Sequence, residues 1–483
     1  MLCISVTPSS RTLAPADMLN ASRKCELIEL CLDHFIRQPD VADLLKLTDR
    51  PVLISCRREK DGGTWTGSEE ERLNVLRNAI VAGPAYVEIE LDIADQIPRF
   101  GDVKRVISYT SLNRPLSNID EVFERCWKAK ADVVKVTWPT DDFDAAWPLL
   151  AAVSQSRELP VVGQGIGRSG LTFSLLGRRY GSPWIYAALE QGMEAYEGQP
   201  SVWQLEEEYG WEDIGKGTRF IGVVGRGRTE NSTVRVLNAA FRRMKKPIRC
   251  LPLIPGQLDR LQKRLAQMKI NALLVDPLHD SEIADMCVPA DNIATRSGYV
   301  DLAMAGSQGW RGKATLFDAV QRVADELRGE RWAAGRATTV FGTGPLAQAA
   351  LAFFNLQNSA VSVAAPSDND AVRMAKSADA RHIPWSAIHS VATDVVVLAD
   401  ANVECGVYRQ QLNPSLIREG MTVIDLSRFP VESDFAEECH ARGAHYVSPQ
   451  AVFREHLSNQ FRLLTRSELP PDVFETALPA AAG

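Results

Sequence analysis

Eight short β-branched runs recur through about the first 190 residues, at 2–7, 25–32, 51–57, 86–91, 103–109, 131–137, 159–163 and 183–188. Most are separated by stretches of helical periodicity, among them EEERLNVLRNAIVAG and NIDEVFERCWKAK. Strands that alternate with helices pair in parallel, because each crossover returns the chain to the same end of the sheet. Eight such units predict a (β/α)8 barrel near the lower end of that fold's size. Chemistry in such barrels sits where strands end, which draws attention to Glu29, Asp33, Arg57, Glu90, Thr110 and Lys135 at one mouth.

The chain has 483 residues, more than one growing core accommodates. A polar, glycine-bearing stretch at 206–218, EEEYGWEDIGKGT, suits a link to a second half. There, strands at 219–225, 247–253 and 271–275 alternate with helices, and a further αβ series begins at 337. The expected organisation is a barrel at 1–212, an α/β lobe at 218–330, a Rossmann-type lobe at 331–455 and a C-terminal helix and tail at 456–483.

Charge and cysteine usage narrow the partners. With 54 basic against 61 acidic residues, and no long basic run, a dedicated nucleic-acid surface is disfavoured. No apolar run approaches the ~20 residues of a membrane span, and the N-terminus lacks the pattern of a secretion signal, so the expected setting is cytoplasmic. Nine scattered cysteines without a Cys-x-x-Cys pair indicate neither a disulfide framework nor a metal site. A small-molecule substrate is the expected partner.

Two features carry chemistry. Lys135 stands alone in the apolar run ADVVKV. Desolvation there would lower its pKa and free an amine able to attack a ketone. The alternative is a lysine whose stem packs while its head reaches water. In the second half, ATTVFGTGPLAQAALAFF runs a strand into Gly342, Gly344 and Ala347 and then into a helix, the context of a dinucleotide-binding turn. The next strand ends in Ala365, Pro366 and Ser367, with Asp368 the nearest acid, so NAD, NADP or no nucleotide all stay open.

Taken together, CELIELCLD, PVLISCRREKDGGTWTGSEEERLNVLRNAI, YVEIEL, VISY and ADVVKV make the first half resemble a type I 3-dehydroquinate dehydratase. GVVGRGRTENSTVRVLNAAF, the GTGPLA turn, VIDLSRFP and YVSPQAVF make the second similar to shikimate dehydrogenase, in the order of the bifunctional plant enzyme. The resemblance implies a shikimate-route lyase whose Lys135 forms a Schiff base with 3-dehydroquinate or a related hydroxylated ring acid. Glu29, Arg57 and Gln199 match substrate-contacting positions, and Glu90 matches the carboxylate that orients a catalytic histidine. For the second half it implies NADP at Gly342, Gly344 and Ala347, and substrate at Asn231, Thr233 and Gln450.

The departures are specific. The histidine that moves protons in the dehydratases falls at Thr110, the arginine between the first glutamate and the aspartate at Cys31, a later substrate arginine at Ser174 and a substrate serine at Ala195. The dehydrogenase lysine falls at His279, its aspartate at Leu316, and the tyrosine after the DL motif at Arg428. Three readings follow: a dehydratase of reduced activity joined to a doubtful dehydrogenase, a noncatalytic binding or regulatory descendant, or an oxidoreductase of other specificity using His279.

Overall fold

The computed structural model describes residues 1–478 apart from 117, 156, 226, 280 and 281. The chain divides into two compact units, one of Met1–Arg219 with Lys245–Arg249 and Leu253–Arg264, the other of Phe220–Met244, Cys250–Pro252 and Leu265–Gly483.

In the first unit, strands β1 (Leu2–Val6), β2 (Leu27–Cys31), β3 (Val52–Ser55), β4 (Tyr86–Glu90), β5 (Lys104–Thr110), β6 (Val133–Pro139), β7 (Val161–Ile166) and β8 (Ile185–Ala188) form one eight-stranded sheet. Its order runs from β7 down to β1 and on to β8. All recorded pairings within it are parallel, including β1 with β8, so the sheet curls into a barrel. Among the described residues the β7–β8 seam has no ladder. Alternation along each strand sends every second side chain inward. Cys3, Leu27, Leu53, Val106, Val133, Val162, Trp184 and Tyr186 thus meet as a buried floor. Burying each large apolar side chain contributes roughly 1.5–3 kcal/mol, so this layer fixes the strand register on which the polar layer above depends.

Two further sheets lie mainly in the second unit. The first, in the order β10-β9-β11-β13-β14-β12, comprises β9 (Arg219–Val224), β10 (Ile248–Pro252), β11 (Ile270–Val275), β12 (Cys287–Pro289), β13 (Leu302–Gly306) and β14 (Gly309–Lys313). Here β13 runs antiparallel to both β11 and β14, a hairpin that departs from simple αβ alternation. The second comprises β15 (Ala337–Phe341), β16 (Ala360–Ala364), β17 (Arg381–His382), β18 (Val395–Leu398), β19 (Thr422–Asp425) and β20 (His445–Val447). It is wholly parallel, in the order β17-β16-β15-β18-β19-β20. That order reverses at β15 and β18, the arrangement of a Rossmann-type sheet.

Candidate active site

The barrel's centre carries charge where such barrels are ordinarily filled by branched apolar side chains. One layer above the floor, Glu29, Arg57 and Lys135 are each at most 1% exposed. Arg57 Nη1 donates to Glu29 Oε1 at 3.0 Å, and Ser5 Oγ donates to Glu29 Oε2 at 2.6 Å. Gln199 Nε2 donates to Ser5 Oγ at 3.0 Å, while its Oε1 accepts from the Ala195 amide at 2.7 Å. The chain of contacts therefore runs from the loop after β8 through β1 to β2 and β3, linking three of the expected substrate positions.

Lys135 Nζ lies 4.0 Å from Glu29 Oε1, but its nearest carboxylate is Glu88, whose Oε2 accepts at 2.8 Å. Its ammonium also stands 4.7 Å from the ring centre of Tyr186 and 5.4 Å from that of Tyr196. These surroundings correct both expectations for this lysine. Its head does not reach water, since the residue is 0% exposed. Nor does its pKa fall: burial opposes the charge, but Glu88, the two tyrosines and Glu29 outweigh it and hold the pKa well above the ordinary lysine value. The resting side chain is an ammonium in a pair with Glu88. Burial likewise acts to raise Glu29, yet Arg57, Lys135 and Ser5 hold its carboxyl below the usual range.

Glu90 is the second carboxylate of β4. Expected to orient a histidine that this chain replaces with Thr110, it accepts at both oxygens from Arg72 Nη1, at 2.8 and 3.1 Å, which ties it to the helix Glu69–Val81. Arg72 divides its donors among Glu90, Glu69 and the Cys56 carbonyl. Divided attraction leaves burial in control, and the Glu90 carboxyl is pushed up to about 7, although Arg72 and Arg58 pull the other way. Glu88, two residues earlier on the same strand face, is the carboxylate that sequence reasoning missed.

Asp33 ties the mouth together by accepting from the amides of Arg57 at 3.1 Å and Thr64 at 2.9 Å. Thr110 closes β5 opposite Thr137, on the face that carries Ser108 and Lys135, and is half-buried. Tyr196 covers the centre, its ring 4.2 Å from the Arg57 guanidinium, and packs in a cluster with Cys31, Ile166 and Ala195. Ser174 lies in the helix Gly170–Arg179 and donates to the Gly170 carbonyl at 2.9 Å.

The loop bearing Tyr196 and Gln199 depends on Gly198. Its φ is +79°, and an added Cβ would sit 1.8 Å from the Gly167 carbonyl oxygen. A Gly198→Ala variant should lose at least about 1–3 kcal/mol from the backbone conformation alone, with the clash in addition. Urea unfolding will show the loss, and the Michaelis constant for any ring-acid substrate should rise as Gln199 is displaced.

In the second unit, Thr233 is buried and lines a cleft with Glu230, Asp276, Phe453, His456 and Gln460. The cleft leaves about 10 Å³ open, about the space of one water. His456 is held by Thr315 Oγ1 and Gln460 Nε2, each at 3.0 Å from its Nε2, with Asp301 at 3.5 Å. Gln450, expected at the substrate, is instead exposed in the first turn of the helix Pro449–Thr465, which reaches the cleft only at Phe453, His456 and Gln460. Leu316 begins the helix Leu316–Arg328 as a buried residue, and His279 is half-buried with its amide bonded to the Asp276 carbonyl at 2.9 Å. Asn231 and Arg428 are exposed.

The glycine turn has the backbone of a nucleotide cradle and an unfavourable charge. Gly342 and Gly344 have φ of +124° and +116°, and a Cβ on Gly342 would meet the Asp400 Cβ at 2.4 Å, while Ala347 is buried in the helix Pro345–Leu356. Asp400 Oδ2, however, already accepts from the Thr343 amide at 3.2 Å. Pro345 also removes one donor from the helix start where a pyrophosphate would bind. Asp368, the nearest acid to the β16 tip, is committed to the Trp385 amide at 2.9 Å. A carboxylate at the turn and a missing donor do not fit a dinucleotide phosphate.

A parallel barrel with a sealed lysine among carboxylates defines, for the first unit, a lysine-bearing (β/α)8 domain. Residues 2–216 match the Type I 3-dehydroquinase family. The bifunctional 3-dehydroquinate dehydratase/shikimate dehydrogenase of Arabidopsis thaliana is 28% identical over 229 residues, 45% of this chain and 38% of that protein. The chain thus matches well under half the length of that relative. The 3-dehydroquinate dehydratase of Methanocaldococcus jannaschii is 24% identical over 216 residues, 43% of this chain and 96% of the relative. Among solved structures, the S. pombe dehydroquinate dehydratase and shikimate dehydrogenase protein aligns over 99% of this chain and 98% of its own, at 16% identity and a TM-score of 0.43. Shikimate 5-dehydrogenase of Thermus thermophilus, solved with NADP(H) and shikimate, aligns over 54% of this chain and 98% of its own, at 18% identity and a TM-score of 0.44.

Proposed function

We propose that the barrel acts on a cyclic hydroxy-keto acid of the 3-dehydroquinate class, condensing it with Lys135 and eliminating water to give the conjugated enone, at a reduced rate. The observation that carries this reading is the buried set Lys135, Glu29 and Arg57, with Glu88 against the amine. Replacing such pairs by apolar residues is often neutral or stabilising by about 1–4 kcal/mol, so stability alone is a poor reason to keep them. Arg57 offers the cation a carboxylated substrate needs, and Gln199 and Ser5 the hydrogen bonds for its hydroxyls. Thr110 cannot act as a base near neutral pH, which supports reduced turnover. Ultraviolet absorbance of the enone, followed with purified protein and 3-dehydroquinate, tests the reading. Slow formation that vanishes in a Lys135→Met variant supports it; none above that variant's background refutes it.

For the second half a noncatalytic reading is favoured by the filled cleft, by Leu316 and His279 in place of a lysine–aspartate dyad, and by Asp400 at the glycine turn. Calorimetric titration with shikimate and with NADP should give no heat of binding up to millimolar ligand. A micromolar dissociation constant for either would return this half to the enzymes.

A further inference from the structure

The buried ammonium of Lys135 cannot attack a carbonyl until it gives up a proton, and Thr110 stands where the related dehydratases are expected to keep a histidine. The group placed to take that proton is already in contact. Glu88 Oε2 accepts from Lys135 Nζ at 2.8 Å, and the Glu88 side chain is 2% exposed. Its second oxygen, Oε1, is buried without a hydrogen-bond partner. Glu29, the other carboxylate near the amine, is engaged by Arg57 and Ser5 and lies farther off, at 4.0 Å. Around the amine, Ser108 is in register with Lys135 and Gln164 with Thr137, so their side chains share the lumen face. Ser108 Oγ, Thr137 Oγ1, Gln164 Oε1 and the Tyr186 hydroxyl are also buried and unpartnered. Unsatisfied polar atoms in such number are costly unless something polar is to be held among them.

We infer that Glu88 is the acid–base residue of imine formation in this barrel, shuttling one proton between Lys135 and the departing carbinolamine hydroxyl through its unpartnered oxygen. The Lys135 ammonium passes a proton to the Glu88 carboxylate, and the free amine forms the C–N bond with the carbonyl carbon. One proton moves from nitrogen to oxygen within the adduct. The C–O bond then breaks with the proton returned by the Glu88 carboxylic acid, releasing water and leaving a protonated imine beside a Glu88 carboxylate. Charge and atoms balance, and no other reactant enters. The inference rests on the imine reading for Lys135 but not on the identity of the natural ketone.

Reductive methylation with formaldehyde and cyanoborohydride, read at the Lys135 peptide by mass, tests it without needing the natural substrate. In the unaltered protein, labelling should proceed at a rate nearly flat between about pH 6 and 8, because the proton is carried internally. In Glu88→Gln it should slow about 10²-fold at the upper end and climb as pH falls, since solution acid must now expel the hydroxyl. Glu88→Asp, which keeps a carboxylate, should retain the flat profile at an intermediate rate. No labelling of Lys135 in the unaltered protein, an unchanged rate in Glu88→Gln, or a slower rate with the same flat profile would each overturn the inference. Lys135 labelled by formaldehyde but not by 3-dehydroquinate under borohydride would keep the proton shuttle and refute the proposed substrate.

Discussion

A Lys135→Met variant should lose all substrate-dependent covalent adduct and all turnover, and should also be less stable by about 3–5 kcal/mol, as a folded barrel with one charge unmatched. Both effects come from the same geometry. The amine is the only nucleophile in the set with a carboxylate at 2.8 Å, and the residue is 0% exposed, so its removal leaves Glu88 buried without its cation. Water cannot compensate inside that layer. Replacing the carboxylate as well, in Lys135→Met with Glu88→Leu, should recover most of the lost stability while activity stays absent, because an apolar pair of similar volume needs no counter-charge. Urea midpoints of the two variants give the comparison. If the single and double variants are equally unstable, the pair is not the source of the loss.

The second large effect should come from Thr110→His. The position ends β5 on the face that carries Ser108, in register with Thr137 at the barrel's mouth, so an imidazole there projects over the lysine layer. A positioned general base contributes about 10²- to 10⁴-fold to a proton abstraction, roughly 3–5 kcal/mol of barrier. Dehydration of 3-dehydroquinate should accelerate within that range, while the yield of trapped adduct on Lys135 changes little. The split matters: imine formation is assigned to Glu88, and only the later loss of the carbon-bound proton gains from the histidine. A folded Thr110→His protein with no faster dehydration would place the deficit elsewhere, with Cys31, Ser174 and Ala195 the next positions to restore.

The barrel was legible because its information is local. Each of the eight β-branched runs lies within a few residues of an observed strand, for example 103–109 against Lys104–Thr110 and 131–137 against Val133–Pro139. The antiparallel hairpin of Leu302–Gly306 and Gly309–Lys313 is not legible in the sequence, since LAMAG and GWRGK contain no β-branched residue to mark a strand. At the site, alternation in YVEIE places Glu88 and Glu90 on the same strand face, and nothing local says which meets a lysine 45 to 47 residues away. Register across β4, β5 and β6 sets Glu90, not Glu88, level with Ser108 and Lys135, so register alone points to the wrong carboxylate; Arg72 draws Glu90 aside and the lysine bonds Glu88 instead. The pKa of Lys135 failed for the same reason: burial is visible in an apolar run, but the partner that reverses its effect is not. In the second half, helical phase, not residue type, decides which side chains of Pro449–Thr465 enter the cleft: Phe453, His456 and Gln460 do, while Gln450 is exposed.

Lys135 is proposed to join covalently to a ring ketone. Borohydride reduction in saturating 3-dehydroquinate, followed by peptide mass analysis, measures this directly. The expected result is a substrate-dependent mass increase confined to the peptide containing Lys135. Absence of any adduct, or an adduct on a different lysine with Lys135 unmodified, would contradict it.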